Sequence, residues 1–384
     1  MPEPNDPVDI AIIGAGPVGM ALAIALSSGP YRLLLIDSRA RGAWTRDPRA
    51  LALSHGSRQL LETLGAWCGE DATAIETIHV SQRGGFGCTV IDRRDHDLPA
   101  LGYVMRYRDL AATLDSRLGE RCRLDRHTLA ALQTTGQGIA LRLASGHQTR
   151  EVNARLVVHA EGTPTVLDGV KVRDYHQHAV VAEVQPRTGH LHRAWERFTP
   201  DGPLALLPLA QAYSLVFTVP STRADPLLGL DDSLFLATLR QQFGNRLDFV
   251  ACGPRAAFPL ALRLRQRITG PRQVWLGNAA QSLHPVSGQG FNVGLRDAWE
   301  LADALLRNVS SDAGDAATLA TYARRRFLDR HGSAAFTDGI VRIFSNDWAP
   351  LRVARGLGLQ ALDLLPPLRH YLARRMIWGA RAWP

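Results

Sequence analysis

The chain opens on a short apolar run, Val8 to Ile13, that is rich in β-branched residues and bounded by Pro7 and Gly14. That pattern predicts a strand buried on both faces of a parallel sheet. After Gly14-Ala15-Gly16-Pro17-Val18-Gly19 the stretch MALAIALSS reads as a helix, and a second apolar strand, Leu33 to Ile36, ends in Asp37. Further on, Val274, Trp275 and Leu276 form another short apolar run that Gly277 ends. From Gly290 onward Phe291, Leu295, Ala298 and Leu301 recur at helical spacing. Between these two units the pattern predicts a helix opened by Arg108, with Leu110 and Leu114 inward, and a strand over Leu156 to Val158. The runs Leu204 to Leu209 and Tyr213 to Val219 read as strands that either line an apolar pocket or form plain sheet core. From Leu351 on, helices are predicted before and after Pro366-Pro367.

At 384 residues the chain can hold two domains. No apolar run approaches the roughly 18 residues that cross a bilayer. The acidic, Pro-rich start MPEPNDPVDI has no charged-then-apolar leader, so cytoplasm is the expected location. Cys68, Cys88, Cys122 and Cys252 are scattered without CxxC pairs, which argues against a zinc site or disulfide framework and predicts small buried side chains. The formal charge is +8, with Lys171 the only lysine. Charge alone fits an anionic membrane, nucleic acid or a phosphate-bearing cofactor equally. No aromatic-basic interleaving or recognition helix supports nucleic-acid binding.

The first glycine turn carries specific chemistry. Gly14 permits the tight turn, Gly16 lets backbone approach a pyrophosphate, Gly19 allows the helix against the strand, and Asp37 can bind ribose hydroxyls. Asp37 disfavours a 2′-phosphate, which leaves FAD or NAD. Arg49 and Arg108 are candidates for phosphate oxygens, because the guanidinium fork binds them bidentately. The second unit, Gly288-Gln289-Gly290, lies at a helix N-terminus, where free amides and the helix dipole favour negative charge on a ligand.

These motifs resemble the flavin-dependent aromatic hydroxylases, and among them the ubiquinone-biosynthesis branch. The residues concerned are GAGPVG at 14–19, PRALALSHGS at 48–57, YRDL at 107–110, AWERFTPDGPLALLPL at 194–209, GNAAQSLHPVSGQGFNVGLRD at 277–297 and RIFSN at 342–346. The resemblance implies an α/β fold in which a Rossmann-like FAD domain (1–75, 98–172 and 262–335) interleaves with a mixed-sheet substrate domain (76–97 and 173–261). A C-terminal helical cover takes 336–384. It assigns Gly14, Gly16, Pro17, Val18, Asp37, Arg49 and Arg108 to the ADP half of FAD. Asn278 takes the place where relatives set an aspartate on the ribityl chain. Pro285, Gly288, Gln289, Gly290 and Phe291 follow the isoalloxazine, with Asn292 close behind. The family's Asp-Gly motif reads Glu161-Gly162 here, and an arginine usual a few residues later is replaced by Val166-Leu167-Asp168. Gln281 stands where histidine is common, and Arg106-Tyr107 replaces a Glu-Asn pair.

The chemistry implied is that of the cofactor: reduced flavin reacts with O2 to a C4a-hydroperoxide, which passes one oxygen to an electron-rich phenol ring. NAD(P)H would be the transient reductant and a polyprenylated phenol the substrate. No side chain need be the nucleophile. His284 is a candidate for phenol deprotonation, weighed against a structural histidine that supports the turn. His55 stands no higher. Two other readings keep the flavin: a reductase or dehydrogenase of an isoprenoid compound, and a non-catalytic flavin-binding subunit of a quinone-biosynthesis assembly. The basic, aromatic C-terminal helices fit either attachment to an anionic membrane surface, beside other ubiquinone-biosynthesis proteins, or packing on the enzyme's own core.

Overall fold

The computed structural model describes residues 8–119, 123–136, 138–164, 167–309 and 312–379. Cys122, Val166 and the first seven residues lie outside the described residues.

Strand Val8–Ile13 is the centre of a parallel sheet. Leu33–Asp37 pairs on one side and Gln148–His159 on the other, with Arg123–Asp125 and Gln273–Trp275 outside them. Parallel pairs need crossovers, and the helices supply them. Ile10, Ile12, Leu35 and Val158 face a core shared with helices Pro17–Leu26 and Gln289–Leu306. Ala11, Ile13, Ile36 and Val157 face the opposite side, where the antiparallel strands Thr128–Thr134 and Ile139–Ser145 cover them. Burial on both faces explains the continuous apolar runs.

A second, mixed sheet of nine strands carries the other layer. Its path runs Gln281–Ser282, Ala256–Arg265, Val170–Pro186, Ala212–Pro220, Gly202–Leu209, Arg193–Thr199, Thr77–Gln82 and Cys88–Asp92, with Phe249–Cys252 beside Val170–Pro186. One face, including Leu204, Leu206, Tyr213, Leu215 and Phe217, packs on helices Ser221–Leu228 and Asp232–Phe243. For these side chains the plain sheet-core reading holds. The opposite face sets Ala194, Leu207 and Leu209 against Ile75 and Val104 of the small sheet Ala50–Ser54, Gly102–Arg106 and Thr73–Ile75.

The long helix Ala316–Phe344 and the two helices Ala349–Leu364 and Pro366–Trp378 close the structure. Ala373 and Ile377 pack on Ile91 and Leu101, so the last helix does cover the core with one face. The expectation of buried cysteines is corrected: Cys88 is exposed at the start of an edge strand, and Cys68 and Cys252 are half-buried.

Candidate active site

Two helices of the first layer, Pro17–Leu26 and Gln289–Leu306, lie side by side and point the same way. At one end a Cβ on Gly294 would stand 3.0 Å from Val18 Cγ2. At the other the Tyr31 hydroxyl donates to the Leu305 carbonyl at 2.8 Å. Their N-termini are therefore neighbours. Neither is capped by a side chain: Gly16 and Gly288 occupy the cap positions, and no acidic residue stands in either first turn. Two sets of free amides and two positive dipole ends are left for a ligand with negative charge at both places.

The first N-terminus follows the expected glycine logic. Gly14 has φ +105°, and a Cβ there would overlap Ala160, at the end of the neighbouring strand. Gly16, by contrast, faces open space, with the Tyr107 hydroxyl 3.6 Å from its would-be Cβ as the nearest group. That gap is where backbone can approach a phosphate. The Asp37 carboxylate accepts the Ala15 amide at 2.8 Å and the Arg39 amide at 2.7 Å. Burial opposes its ionisation, yet the hydrogen bonds from Arg39 and Ala15 hold its carboxyl below the usual range.

Cations and one phenol gather beside this turn. The Arg49 guanidinium lies over the Tyr107 ring, 4.9 Å from its centre, and is held by Asp47 at 2.6 Å. The Arg49 carbonyl accepts the Tyr107 amide at 2.9 Å, which fixes strand Ala50–Ser54 to the start of helix Tyr107–Leu118. Arg39 lies close enough to the Tyr107 hydroxyl to interact with it electrostatically. Arg108 is half-exposed beside Asp109. Arg39 and Tyr107 are additions to the residues predicted for the site, and the position of Arg39 two residues after the strand-terminal acid was the available signal. Glu161 follows the strand that borders Gly14, and its Oε1 accepts His159 Nδ1–H at 3.2 Å. Pro17 and Val18 open the first helix, and Asn278 stands exposed in the short turn Gly277–Ala279.

At the second N-terminus the backbone turns through Ser287 and Gly288, both at φ +63°. A Cβ on Gly288 would come within 2.8 Å of the Ala52 Cβ, whereas nothing stands within 4 Å of the equivalent point on Gly290. Asn292 holds the turn in place. Its Nδ2 donates to the Gly288 carbonyl at 2.8 Å and the Ala52 carbonyl at 2.9 Å, and its Oδ1 accepts the Ser54 amide and the Ser57 hydroxyl. Those four bonds use the whole capacity of an amide side chain. Asn292 thus shapes the turn rather than reaching a ligand with its side chain. Gln289 donates to the Met376 carbonyl at 3.1 Å, tying the turn to the last helix, while Pro285 and Phe291 are half-buried on either side.

His284 is fully buried. Its Nδ1 accepts the Val286 amide at 3.1 Å, so the proton of the neutral ring is on Nε2, which has no partner, and the ring packs T-shaped with Tyr175. Burial holds its pKa down to about 3. This is the geometry of a histidine that supports the turn. His55, also buried, packs edge-on against Trp378.

A network invisible to the sequence reading lies behind the turn. The Asp297 carboxylate accepts the Gly277 amide at 3.0 Å, Gln281 Nε2 at 2.5 Å and Arg326 Nε at 2.6 Å. Gln281 Oε1 in turn accepts Arg330 at 2.5 Å, and Asp329 pairs with Arg296 and Arg326. An amide that donates to a carboxylate and accepts from a guanidinium is the chemical reason for glutamine at 281. The spacing Arg326, Asp329, Arg330 on one helix face was the signal that could have exposed it.

Against the same turn is an apolar cavity of about 70 Å3, walled by Ile75, Ile78, Ile91, Leu101, Ser287 and Met376 among others. Among the described residues no group of His, Cys, Asp and Glu could hold a metal ion. The uncapped helix ends, the open approach at Gly16 and the open face of Gly290 fit a dinucleotide whose pyrophosphate lies at one end and whose ring lies at the other.

A sequence profile of the FAD binding domain matches residues 7–332. Ubiquinone hydroxylase UbiL of Rhodospirillum rubrum is 34% identical across 98% of this chain and 91% of its own length. The 3-demethoxyubiquinol 3-hydroxylase of Escherichia coli is 31% identical across 94% of this chain and 95% of its own. Among solved structures, p-nitrophenol 4-monooxygenase PnpA of Pseudomonas putida superposes with a TM-score of 0.80 over 98% of this chain and 99% of that one, at 15% identity, a likeness of fold. The chain belongs to the FAD-dependent hydroxylases of the FAD binding domain family, in the branch that contains the ubiquinone hydroxylases.

Proposed function

We propose that this protein is an FAD-dependent monooxygenase that hydroxylates the ring of a polyprenylated phenol in ubiquinone biosynthesis, with NAD(P)H as reductant and O2 as the source of the oxygen atom. The observation that carries the substrate class is the apolar cavity against the Ser287–Asn292 turn, closed by the last helix and free of charged walls. Its apolar walls suit an aromatic ring or an isoprenoid chain and keep water from them, and at about 70 Å3 the cavity takes part of such a molecule, not the whole. Gly14, Gly16, Asp37 and Arg49 would hold the ADP half of FAD, and Gly288 and Gly290 the ring. FAD supplies oxygen activation when bound. The chain's part is to bind, orient and keep the site dry.

Peripheral attachment to the inner membrane is part of this reading. Among the described residues no helix is long and apolar enough to cross a membrane. Residues 363–368, around the junction of the last two helices at Leu365, are exposed throughout, with Leu364 at 72%. Trp348 at 66% and Tyr371 at 65% extend that surface, and Arg352 and the exposed Arg374 stand on the same helices. Exposed aromatic and leucine side chains among arginines suit the headgroup region of an anionic bilayer, where a polyprenyl phenol resides.

Deletion of the gene, with mass spectrometry of the quinone precursors that accumulate, tests the function. A prenylated phenol lacking one ring hydroxyl is the expected product. Unchanged precursors would overturn the substrate class, and a precursor altered in its tail would favour an isoprenoid reductase.

A further inference from the structure

We propose that Glu196 is the base that takes the phenolic proton of the substrate. This assignment rests on the hydroxylase reading above and adds a residue to it.

The strand Arg193–Thr199 alternates between two surroundings. Trp195 packs edge-on against Phe243, and Arg197 Nε donates to the Gln242 carbonyl at 2.5 Å, so these two face the helix layer. Ala194, Glu196 and Phe198 face the other way. Ala194 packs with Ile75 and Leu209. Phe198 packs with Val286 of the turn and stacks on Phe344 at 3.9 Å. The parallel neighbour strand sets Ile78 beside Ala194 and Val80 beside Glu196, and the antiparallel one sets Ala205 beside Glu196. Ile75 and Ile78 are walls of the apolar cavity. Along that face Glu196 lies between Ala194, packed on the cavity wall Ile75, and Phe198, packed on Val286 of the turn assigned to the flavin ring.

Nothing protein-borne satisfies it. Its Oε1 is buried without a hydrogen-bond partner, and its paired neighbours on that face are apolar. The buried acids Asp37, Asp297 and Asp329 all meet a guanidinium. Glu196 does not. Enclosed by protein, it still keeps some accessible surface. A buried carboxyl left unpaired costs stability, and such groups collect where a ligand supplies the partner.

The chemistry matches. Burial pushes the Glu196 carboxyl up to about 8. A phenol loses its proton near about 10, so a carboxylate raised in this way is far closer in proton affinity than an ordinary one at about 4. In the step, the proton passes from the phenolic oxygen to a Glu196 carboxylate oxygen, and the O–H electron pair stays on the phenolate. Electron density rises at the ring carbons ortho and para to it. The C–O bond forms as the O–O bond of O2 breaks, the second oxygen leaving as water; the ring C–H proton passes to solvent and Glu196 returns its own proton to the phenolate oxygen.

The test is a single turnover of holoenzyme whose FAD has been photoreduced without air, mixed with aerated buffer and a 2-diprenylated phenol. At about pH 7, Glu196→Gln is expected to lower hydroxylated product per FAD at least about ten-fold, with hydrogen peroxide in its place. Product should recover at about pH 10, where the phenol ionises unaided. Should the Gln variant lack FAD, Glu196→Asp carries the test, with lower yield and the same alkaline recovery. A yield within about two-fold of wild type, or no recovery at high pH, overturns the assignment of Glu196 alone. A wild type that makes no hydroxylated product overturns the hydroxylase reading and this assignment with it.

Discussion

Asn292 accepts the Ser57 hydroxyl at 2.7 Å and so ties the turn before helix Gln289–Leu306 to the start of helix His55–Thr63. Asn292→Ala removes four hydrogen bonds and takes the side-chain acceptor from the buried Ser54 amide. At about 1–3 kcal/mol for each buried group left without a partner, the loss should exceed that of Ser57→Ala, which removes one side-chain bond to Asn292. Denaturant unfolding of both variants checks the order.

The buried pair Asp297 and Arg326 joins that turn region to the long helix Ala316–Phe344. Breaking it from one side, as in Asp297→Leu, leaves the buried Arg326 with Asp329 as its remaining carboxylate, takes the acceptor from Gln281 and the Gly277 amide, and should cost about 3–5 kcal/mol. Asp297→Leu with Arg326→Met is expected to be less damaging than the sum of the single changes. Equal or greater damage in a double-mutant cycle would contradict the pairing.

Gly288 and Gly290 should separate structure from binding. Gly288→Ala meets both a left-handed φ and the Ala52 Cβ, so the protein itself should lose stability. Gly290→Ala meets no protein atom within 4 Å and should unfold like wild type. Its FAD retention should nevertheless fall, because the open space is assigned to the ring. Flavin absorbance after gel filtration measures this.

His284 predicts the pH response. Its folded pKa is depressed to about 3 by burial, while the unfolded chain titrates near about 6.5. Between those values the unfolded state binds the extra proton, so stability falls as pH falls, by up to about 1.4 kcal/mol per unit from this residue. His284→Asn keeps an acceptor for the Val286 amide and should flatten the slope across that window. Chemical unfolding at several pH values reads it.

The exposed tip between the last two helices should govern lipid binding. Leu364→Asp with Leu365→Asp is expected to reduce co-sedimentation with anionic vesicles several-fold while leaving FAD content unchanged. Binding equal to wild type would leave those helices as cover only.

The strand-turn-helix units were legible in sequence because burial on both faces of the parallel sheet leaves a continuous apolar run, and because Gly14 and Gly288 meet backbone demands few other residues tolerate. The break between the last two helices was legible because proline opens a helix but cannot continue one, and Pro366-Pro367 begin the second. The Asp297 network was not, since Gln281, Asp297 and Arg330 are separated in sequence and meet only through packing. Glu196 was quoted within a motif without a role, because alternation along one strand cannot say which face meets a cavity.

Parallel packing of Pro17–Leu26 and Gln289–Leu306 places like poles side by side, an arrangement that repels itself until an anion arrives. Cofactor loading and folding stability are thereby coupled: a protein emptied of FAD would carry an unrelieved electrostatic stress at the junction of its two layers. Variants that weaken FAD binding should accordingly be recovered in lower yield than their own contacts explain.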